Sequence, residues 1–164
     1  MSNPLSLPAA NSQICATKIS QLSQALDGTL ITPITSNYEN ARSTSSFNPR
    51  YNRYPALIAK CFTESDVVRA LGFTQENDLP IAVSSGGHVV LSAATVDNGL
   101  LIDLQPLSKI DINNAADCAG PGVLAGQLDY SLSEAGLALP LTCNPSIGVA
   151  GLTLRVSQGW FMGS

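Results

Sequence analysis

Apolar residues along this chain follow two spacings that alternate. Short apolar runs of strand length occupy 56–61, 81–83 and 100–104. Apolar positions at 12–27 and 124–135 instead recur every three or four residues, as they do on one face of a helix. Strands that alternate with helices in this way predict an α/β or α+β domain.

The helical segments carry start and stop signals. Asn11 can cap the helix at 12–27, and Gly28 suits its C′ position. The stretch Thr63–Asp66 has the Ser/Thr-x-x-acid pattern that begins a helix. The apolar face of that helix is predicted at Val67, Ala70 and Leu71. A further helix ends at Gly136, and its apolar face is predicted at Leu124, Leu128, Leu132 and Ala135.

Shorter segments complete the pattern. Thr29–Thr32 reads as a strand that Pro33 ends, because proline cannot donate to a sheet. The polar segment 36–53 is predicted to be irregular or to form one short helix. Lys109–Ile112 alternates polar and apolar residues, which is typical of a half-exposed strand.

Composition indicates a folded domain and argues against two classes of partner. The 164 residues are 45% hydrophobic and 12% charged, so we expect one globular domain. The formal net charge is −4, and no cluster of lysine and arginine occurs. Nucleic acid and anionic membranes are therefore not expected as partners. The sequence leaves the oligomeric state open.

Targeting and cysteine patterns add little chemistry. Residues 1–8 lack a basic segment and a long apolar stretch, so we expect no signal peptide and a cytoplasmic location. No apolar run approaches the length of a transmembrane helix. The cysteines have no metal-binding spacing and are expected to be free thiols, although their even number leaves disulfides open; they are Cys15, Cys61, Cys118 and Cys143.

The turn Ser84-Ser85-Gly86-Gly87-His88 is the strongest candidate for chemistry. It follows an apolar strand and contains the only histidine of the chain. The two glycines permit a sharp turn whose N–H groups can approach an anion such as phosphate closely. On these residues alone, a surface loop with an incidental histidine is an equal alternative.

The order and spacing of several segments point to a family. Together they resemble the FAD-binding domain, of PCMH type, in the FAD-linked oxidases of the vanillyl-alcohol oxidase superfamily, and within it the berberine-bridge-enzyme-like branch. The resemblance covers about residues 37–154. It implies an α+β fold, the N-terminal portion of a PCMH-type FAD-binding domain, with small mixed sheets flanked by helices and incomplete at the C-terminus. The matching segments are Tyr54–Cys61, Glu64–Leu71, Glu76–His88, Asp97–Leu104, Ala119–Gly122, Gly136–Pro140 and Ile147–Leu154.

The resemblance also divides the chain. It implies an N-terminal helix and lead-in at 1–36, a partial FAD-binding domain at 37–154, and a divergent tail at 155–164. The tail contains Trp160, Phe161 and Met162, which form an exposed apolar cluster if nothing covers them. We therefore expect the tail to pack poorly.

FAD is the cofactor that the resemblance implies. His88 matches the family's usual covalent anchor to the 8α-methyl group of the flavin. From the residues alone, 148–151 would be interpreted as a loop before a buried strand. The resemblance instead places it against the flavin pyrophosphate, and it implies cofactor contacts at Ser84, Ser85, Gly86, Gly87, His88, Gly122, Gly148, Val149 and Gly151.

This chain departs from the family pattern at three positions. Asn144 stands where some members have a cysteine that forms a second flavin link, and Cys143 lies one residue early. A single link is expected, with a second through Cys143 left open. Leu124 stands where an aromatic residue is frequent, and Ser84 where a basic residue is common.

The function implied is that of the FAD-binding portion of a flavin-dependent oxidoreductase, which uses dioxygen and a small-molecule substrate in complete relatives. No catalytic residue can be named. Asp103 and Asp111 are candidates only because they carry carboxylates. Asp103 is more typical of a residue that caps a strand, and Asp111 of a residue that faces solvent. Because no substrate domain fits in 164 residues, we expect little activity from the chain alone. The alternatives are a truncated, inactive remnant and a noncovalent flavin module that needs a second chain.

Overall fold

A computed structural model of the chain describes residues 14–44, 53–88, 94–113 and 118–154. The expected cap Asn11 and the expected tail 155–164 lie outside these residues. The helices are α1 (Ala16–Ala25), α2 (Tyr38–Thr44), α3 (Glu64–Glu76), α4 (Ala125–Glu134) and α5 (Val149–Leu154). The strands are β1 (Thr29–Ile31), β2 (Leu57–Lys60), β3 (Ile81–Ser84), β4 (Leu100–Asp103), β5 (Ile110–Asp111) and β6 (Cys118–Ala119).

Two small sheets carry this fold, as the sequence predicts. The larger has the order β1-β2-β4-β3, in which β1 is antiparallel to β2 while β2, β4 and β3 are parallel. The smaller pairs β5 with β6. β4 is buried along its whole length and β2 nearly so, because their continuous apolar runs suit strands covered on both faces. β3 is an edge strand in the described sheet and alternates, with Ile81 42% and Val83 47% exposed.

Helices cover the two faces of the larger sheet. On one face α1 and α3 pack over Leu57, Ala59 and Leu100. On the other face Tyr38 and Ala41 of α2 pack over Ile58 and Leu101 from the sheet. A separate apolar cluster joins α4 to the segment before α5 through Val123, Leu128, Leu132 and Leu141. Parallel strands need such cover on both faces, so the larger sheet forms the core of the domain.

Helix α3 begins where the sequence predicts, and of the predicted inward face Ala70 is buried and Val67 packs against the core. The Thr63 hydroxyl accepts the Asp66 N–H at 3.2 Å, and the Asp66 carboxylate accepts the Thr63 N–H at 3.2 Å. This reciprocal pair is a capping box. Leu71 was predicted on the buried face and is 40% exposed, so that prediction was wrong. The buried residues are Asp66, Ala70, Phe73 and Thr74, and an apolarity pattern cannot identify Asp66 and Thr74 because they are polar.

The predicted ends of α1 were also wrong. The helix begins at Ala16 after Cys15, whose side chain makes no capping hydrogen bond. Gly28 lies beyond the C-terminal residue Leu26 and does not adopt a left-handed conformation, so it is not a C′ cap. Its lack of a Cβ has another reason, since a Cβ there would overlap the carbonyl oxygen of Lys60.

The other predicted elements have two exceptions, of which the first is Ala135, predicted on the buried face of α4 but exposed. Gly136 follows α4 with φ 71°, as a helix-ending glycine should. The residues at 148–151 do not form a loop before a strand. They open α5, whose first N–H, from Val149, donates to the carbonyl of Val123 at 2.8 Å.

The described helices include none that is long and apolar enough to cross a membrane. The four cysteines are free thiols, and only Cys61 is buried.

Candidate functional site

Loops from both halves of the chain meet beside the carboxyl ends of β3 and β4. They are the segments 84–88, 104–108, 120–124 and 144–148. A groove of about 590 Å³ lies between them. Its described lining contains no charged side chain and consists of Ser43, Thr44, Gly86, Gly87, His88, Gln105, Ser108, Gly122, Leu124, Gln127 and Ser146.

The two predicted glycine stretches touch each other. A Cβ on Gly86 would overlap the backbone nitrogen of Gly148 and lie 2.8 Å from its Cα. A Cβ on Gly148 would lie 2.5 Å from the nitrogen of Gly86. Only glycine at both positions allows this approach. The resemblance therefore grouped residues that the fold does bring together.

The turn after β3 also contains backbone N–H donors that have no protein acceptor among the described residues. Gly87 has φ 68°, in the left-handed region that favours glycine. Within the described residues, the N–H groups of Gly86 and Gly87 enter no hydrogen bond. The turn is anchored beside them, because the Ser85 hydroxyl donates to the carbonyl of Pro121 at 2.6 Å. Fixed N–H groups of this kind suit an anion.

His88 lies at the rim of the groove and contacts a residue that the sequence analysis missed. Its Nε2 is 2.6 Å from the hydroxyl oxygen of Ser146. Asn144 Oδ1 accepts both the Ser146 hydroxyl at 2.8 Å and the Ser146 N–H at 3.0 Å. An asparagine that bonds the backbone two residues on is a common turn signal, and it could have identified Ser146 as ordered.

A second cavity, of about 430 Å³, adjoins the groove at Gly86, Gly87 and His88. Its other described lining is mostly apolar and includes Val83, Ala94, Leu104, Ile147, Leu152 and Leu154. Gly151 also lines this cavity, and a Cβ there would meet nothing within 4 Å. A polar groove and an apolar cavity thus share the turn that carries His88.

Other predicted site residues lie elsewhere. Ser84 is buried at the end of β3, and its hydroxyl has no hydrogen-bond partner in the described structure. Val149 packs against the cluster around Val123, so neither it nor Ser84 lines the groove. Gly122 does line it, and a Cβ there would lie 2.7 Å from the carbonyl carbon of Gln105. Gly122 therefore lies in the groove, whereas the side chains of Ser84 and Val149 face away from it, and the predicted cofactor contacts at all three stay predictions.

The two carboxylates considered as catalytic candidates do not line the groove or the apolar cavity. Asp103 ends β4, where it accepts the Gln105 N–H at 3.0 Å and lies 3.8 Å from Lys60 Nζ. Burial raises the pKa of Asp103, against the lowering effect of these partners. Asp111 is exposed. Both therefore have the structural roles that the sequence favoured.

Cys143 also lies apart from His88. It is exposed and lines a different cavity, of about 410 Å³, together with Asp129, Leu139 and Pro145. Asn144 occupies the position of the family cysteine and bonds to Ser146. Cys143 and His88 therefore line different cavities, and the number of flavin links stays a prediction.

Comparison with known proteins decides the family. Residues 55–163, more than half of the chain, match the FAD binding domain family. The chain belongs to this FAD binding domain family. It is 32% identical over 138 residues to (R)-6-hydroxynicotine oxidase of Paenarthrobacter nicotinovorans, a match that covers 83% of this chain and 30% of that oxidase.

Solved structures of FAD-linked oxidases share the fold. The structure of 6-hydroxy-D-nicotine oxidase from Arthrobacter nicotinovorans aligns with a TM-score of 0.76 and 30% identity, covering 85% of this chain and 30% of that one. The berberine-bridge-enzyme-like protein 1 of Physcomitrella patens aligns with a TM-score of 0.75 and 26% identity, covering 83% and 30%. This chain therefore spans about 30% of the length of these FAD-linked oxidases.

The described groove fits FAD, the cofactor of this family's domain. The FAD pyrophosphate is an anion, and the Gly86 and Gly87 N–H groups are uncommitted donors beside a lining without acidic side chains. The flavin ring is apolar over much of its surface, and the cavity next to His88 is apolar as well. The donor set and the shape therefore agree with the family assignment.

Proposed function

We propose that this chain holds FAD in the groove and the adjoining cavity and binds it covalently through His88. The supporting observation is that His88 stands where the contact between Gly86 and Gly148 separates a polar groove from an apolar cavity. An imidazole at that boundary is within reach of a ligand whose anionic part occupies the groove and whose ring occupies the cavity.

Each described residue then has a distinct task. Gly86 and Gly87 would donate to pyrophosphate oxygens, while Gly148 leaves room for their turn. Gly122 lets its segment pack directly against the backbone of Leu104 and Gln105, which forms one wall of the groove. The neutral hydroxyl and amide groups of the groove, such as Gln105 and Gln127, would bind the sugar and phosphate portions without adding charge.

Covalent attachment replaces one hydrogen of the 8α-methyl group with an imidazole nitrogen. The hydrogen from the methyl group and the one from the imidazole leave as two protons and two electrons, and dioxygen takes them up as hydrogen peroxide. When bound, FAD supplies two-electron redox chemistry, and the protein supplies binding and orientation. The substrate is proposed to be a small organic molecule, as the name of the hydroxynicotine oxidase indicates for that relative.

The absorbance spectrum of the purified chain, before and after acid precipitation, tests this function. We expect a visible flavin band that stays with the precipitated protein. His88→Ala should lose the acid-stable band and keep its far-UV circular dichroism, because the side chain lies at the rim of the groove. Gly72→Ala serves as the control and should keep the band, since Gly72 lies in α3, lines neither the groove nor the apolar cavity, and a Cβ there meets nothing within 4 Å.

Two other results would each refute part of the proposal. A flavin band that is lost on precipitation would mean noncovalent binding. The absence of any flavin after incubation with excess FAD would mean that the chain is an inactive remnant.

A further inference from the structure

The parallel strands of the larger sheet end in a row of three polar residues. Lys60 is the last residue of β2, Asp103 of β4 and Ser84 of β3. The strand register places Asp103 directly between the other two, beside Lys60 on β2 and beside Ser84 on β3. Neighbouring strands lie about 4.8 Å apart, so the three side chains are close enough to share one small polar ligand.

This row lies on the face of the sheet that α2 covers. The residues two positions earlier in each strand belong to the apolar cluster beneath α2; they are Ile58, Leu101 and Ala82. Every second side chain of a strand points to the same face, so Lys60, Asp103 and Ser84 continue that face at the carboxyl ends of the strands. Asp103 and Ser84 are each 1% exposed, and the Lys60 side chain is 34% exposed.

Hydrogen-bonding capacity in this buried row exceeds what the described residues use. The Ser84 hydroxyl has no hydrogen-bond partner among them. Among the same residues the Asp103 carboxylate accepts one N–H, from Gln105 at 3.0 Å, although an ionised carboxylate can accept about four. Lys60 Nζ lies 3.8 Å from Asp103 Oδ2, which is close enough for charge attraction but too long for a hydrogen bond. Buried polar groups are almost always paired, either with protein atoms or with ordered water.

The charges of the row decide which ligand fits it. An anion would be repelled by Asp103, and a cation by Lys60. An apolar molecule would leave the Ser84 hydroxyl without a partner. Water is neutral and both donates and accepts, so it suits a carboxylate, a hydroxyl and an ammonium group together. Two hydrogen bonds of about 2.8 Å that meet at one oxygen span about 4.6 Å, which matches the spacing of the strands.

We propose that one buried water molecule binds between Ser84 and Asp103 at the ends of β3 and β4. It accepts from the Ser84 hydroxyl and from the Lys60 ammonium group, and it donates to Asp103 Oδ2. Three hydrogen bonds are the usual number for a buried water. The water joins three strand ends immediately before the turn that begins at Ser85. None of its three partners lines the groove or the apolar cavity, so the site does not depend on the proposed binding of FAD.

A high-resolution crystal structure of the chain tests this site directly. We expect a water peak within hydrogen-bond distance of Ser84 Oγ and Asp103 Oδ2, with Lys60 Nζ as its third partner. Three results would overturn the proposal. One is a direct hydrogen bond from Ser84 to a protein group, and another is ordered side chains with no peak between them. The third is a peak with oxygen contacts of about 2.4 Å, which would identify a metal ion.

Carbon-13 NMR of the carboxylates tests the same site in solution. The Asp103 signal is identified by its absence from Asp103→Asn. Burial already raises the pKa of Asp103. Ser84→Ala removes one partner of the water, so the charged carboxylate loses support and the pKa of Asp103 should rise further. Ser84→Thr keeps a hydroxyl and should keep the wild-type pKa.

Two titration results contradict the bridge. One is an Asp103 pKa that does not rise in Ser84→Ala, and the other is a pKa that rises equally in Ser84→Thr. A direct bond between Ser84 and Asp103 would also give a higher pKa in Ser84→Ala, and the crystal structure separates that case from a bridging water.

Discussion

The carboxylate of Asp66 joins three segments of the chain, and its removal should have a large effect. Its Oδ2 accepts the N–H groups of Gly28 at 3.1 Å, Phe62 at 2.9 Å and Thr63 at 3.2 Å, and its Oδ1 accepts the N–H of Asp27 at 2.8 Å. Asp66 is fully buried. Four backbone donors from two loops and the helix start, together with Arg69 Nη1 at 3.4 Å from Oδ1, therefore depend on one side chain.

The magnitude for Asp66→Asn follows from this geometry. The amide oxygen would take the place of Oδ2 and keep three neutral hydrogen bonds. The NH₂ group would then face the N–H of Asp27 and leave that donor unsatisfied. An unsatisfied buried donor costs about 1–3 kcal/mol, and each bond loses part of its charge assistance. We expect the free energy of unfolding to fall by about 3–5 kcal/mol.

Urea denaturation followed by far-UV circular dichroism checks this value. Asp27→Asn is the matched control, because that carboxylate is 60% exposed and its ion pair with Arg69 is worth about 1 kcal/mol or less. The backbone N–H of Asp27 still reaches Asp66 in the control. A loss below about 1 kcal/mol in Asp66→Asn, with an unchanged m-value, would refute the reasoning.

The same carboxylate makes stability depend on pH. Burial raises the pKa of Asp66, but the N–H donors of Phe62, Asp27, Thr63 and Gly28 outweigh it, so that the pKa lies below the ordinary 3.8. A lowered pKa contributes stability that is present above the unfolded-state value and is lost as pH falls through the folded-state value. The difference between wild type and Asp66→Asn should be full above about pH 5 and shrink below about pH 4.

Three further changes have definite expected outcomes. Gly86→Ala should abolish flavin binding and lower stability by about 2 kcal/mol or more, because its Cβ would overlap the backbone of Gly148; wild-type flavin absorbance in this variant would contradict the described contact. Gly72→Ala should raise the stability by about 0.5–1 kcal/mol, since the position is inside α3 and a Cβ meets nothing within 4 Å; a lower melting temperature would show a missed contact. Cys61 should resist an aromatic disulfide reagent at pH 8, because burial raises the pKa of its thiol to about 12. Three thiols should therefore react quickly in the folded chain and four after denaturation. Four quickly reacting thiols in the folded chain would refute this prediction.

The sequence predicts the strands of the larger sheet well, because β2 and β4 are buried on both faces and consist of continuous apolar runs. It misjudges α3, where the buried side includes a carboxylate whose partners come from other segments of the chain. It also predicts a loop and strand where α5 forms. The first N–H of α5, from Val149, donates to Val123, which precedes α4, and a local pattern does not contain that distant acceptor.

In the candidate site, too, the sequence does not reveal contacts between distant segments of the chain. The resemblance located the two glycine stretches and His88. The local pattern around Asn144 could indicate an ordered turn at Ser146, but not its contact with a histidine 58 positions away in the chain. Ser84 shows the reverse case, since a residue within the predicted motif turns its side chain into the interior.

The contact between Gly86 and Gly148 also has a consequence for how the groove forms. Roughly sixty residues separate these two positions, and closing a loop of that length costs about 3–4 kcal/mol of chain entropy. The floor of the groove therefore exists only while both halves of the chain are docked, and any ligand that bridges the two stretches must oppose their separation. Ligand affinity and the docking of the halves are then one coupled equilibrium, in which binding adds to stability with ligand concentration. The backbone amides on both sides of the contact should exchange with solvent as a single cooperative unit and slow together when the groove is filled.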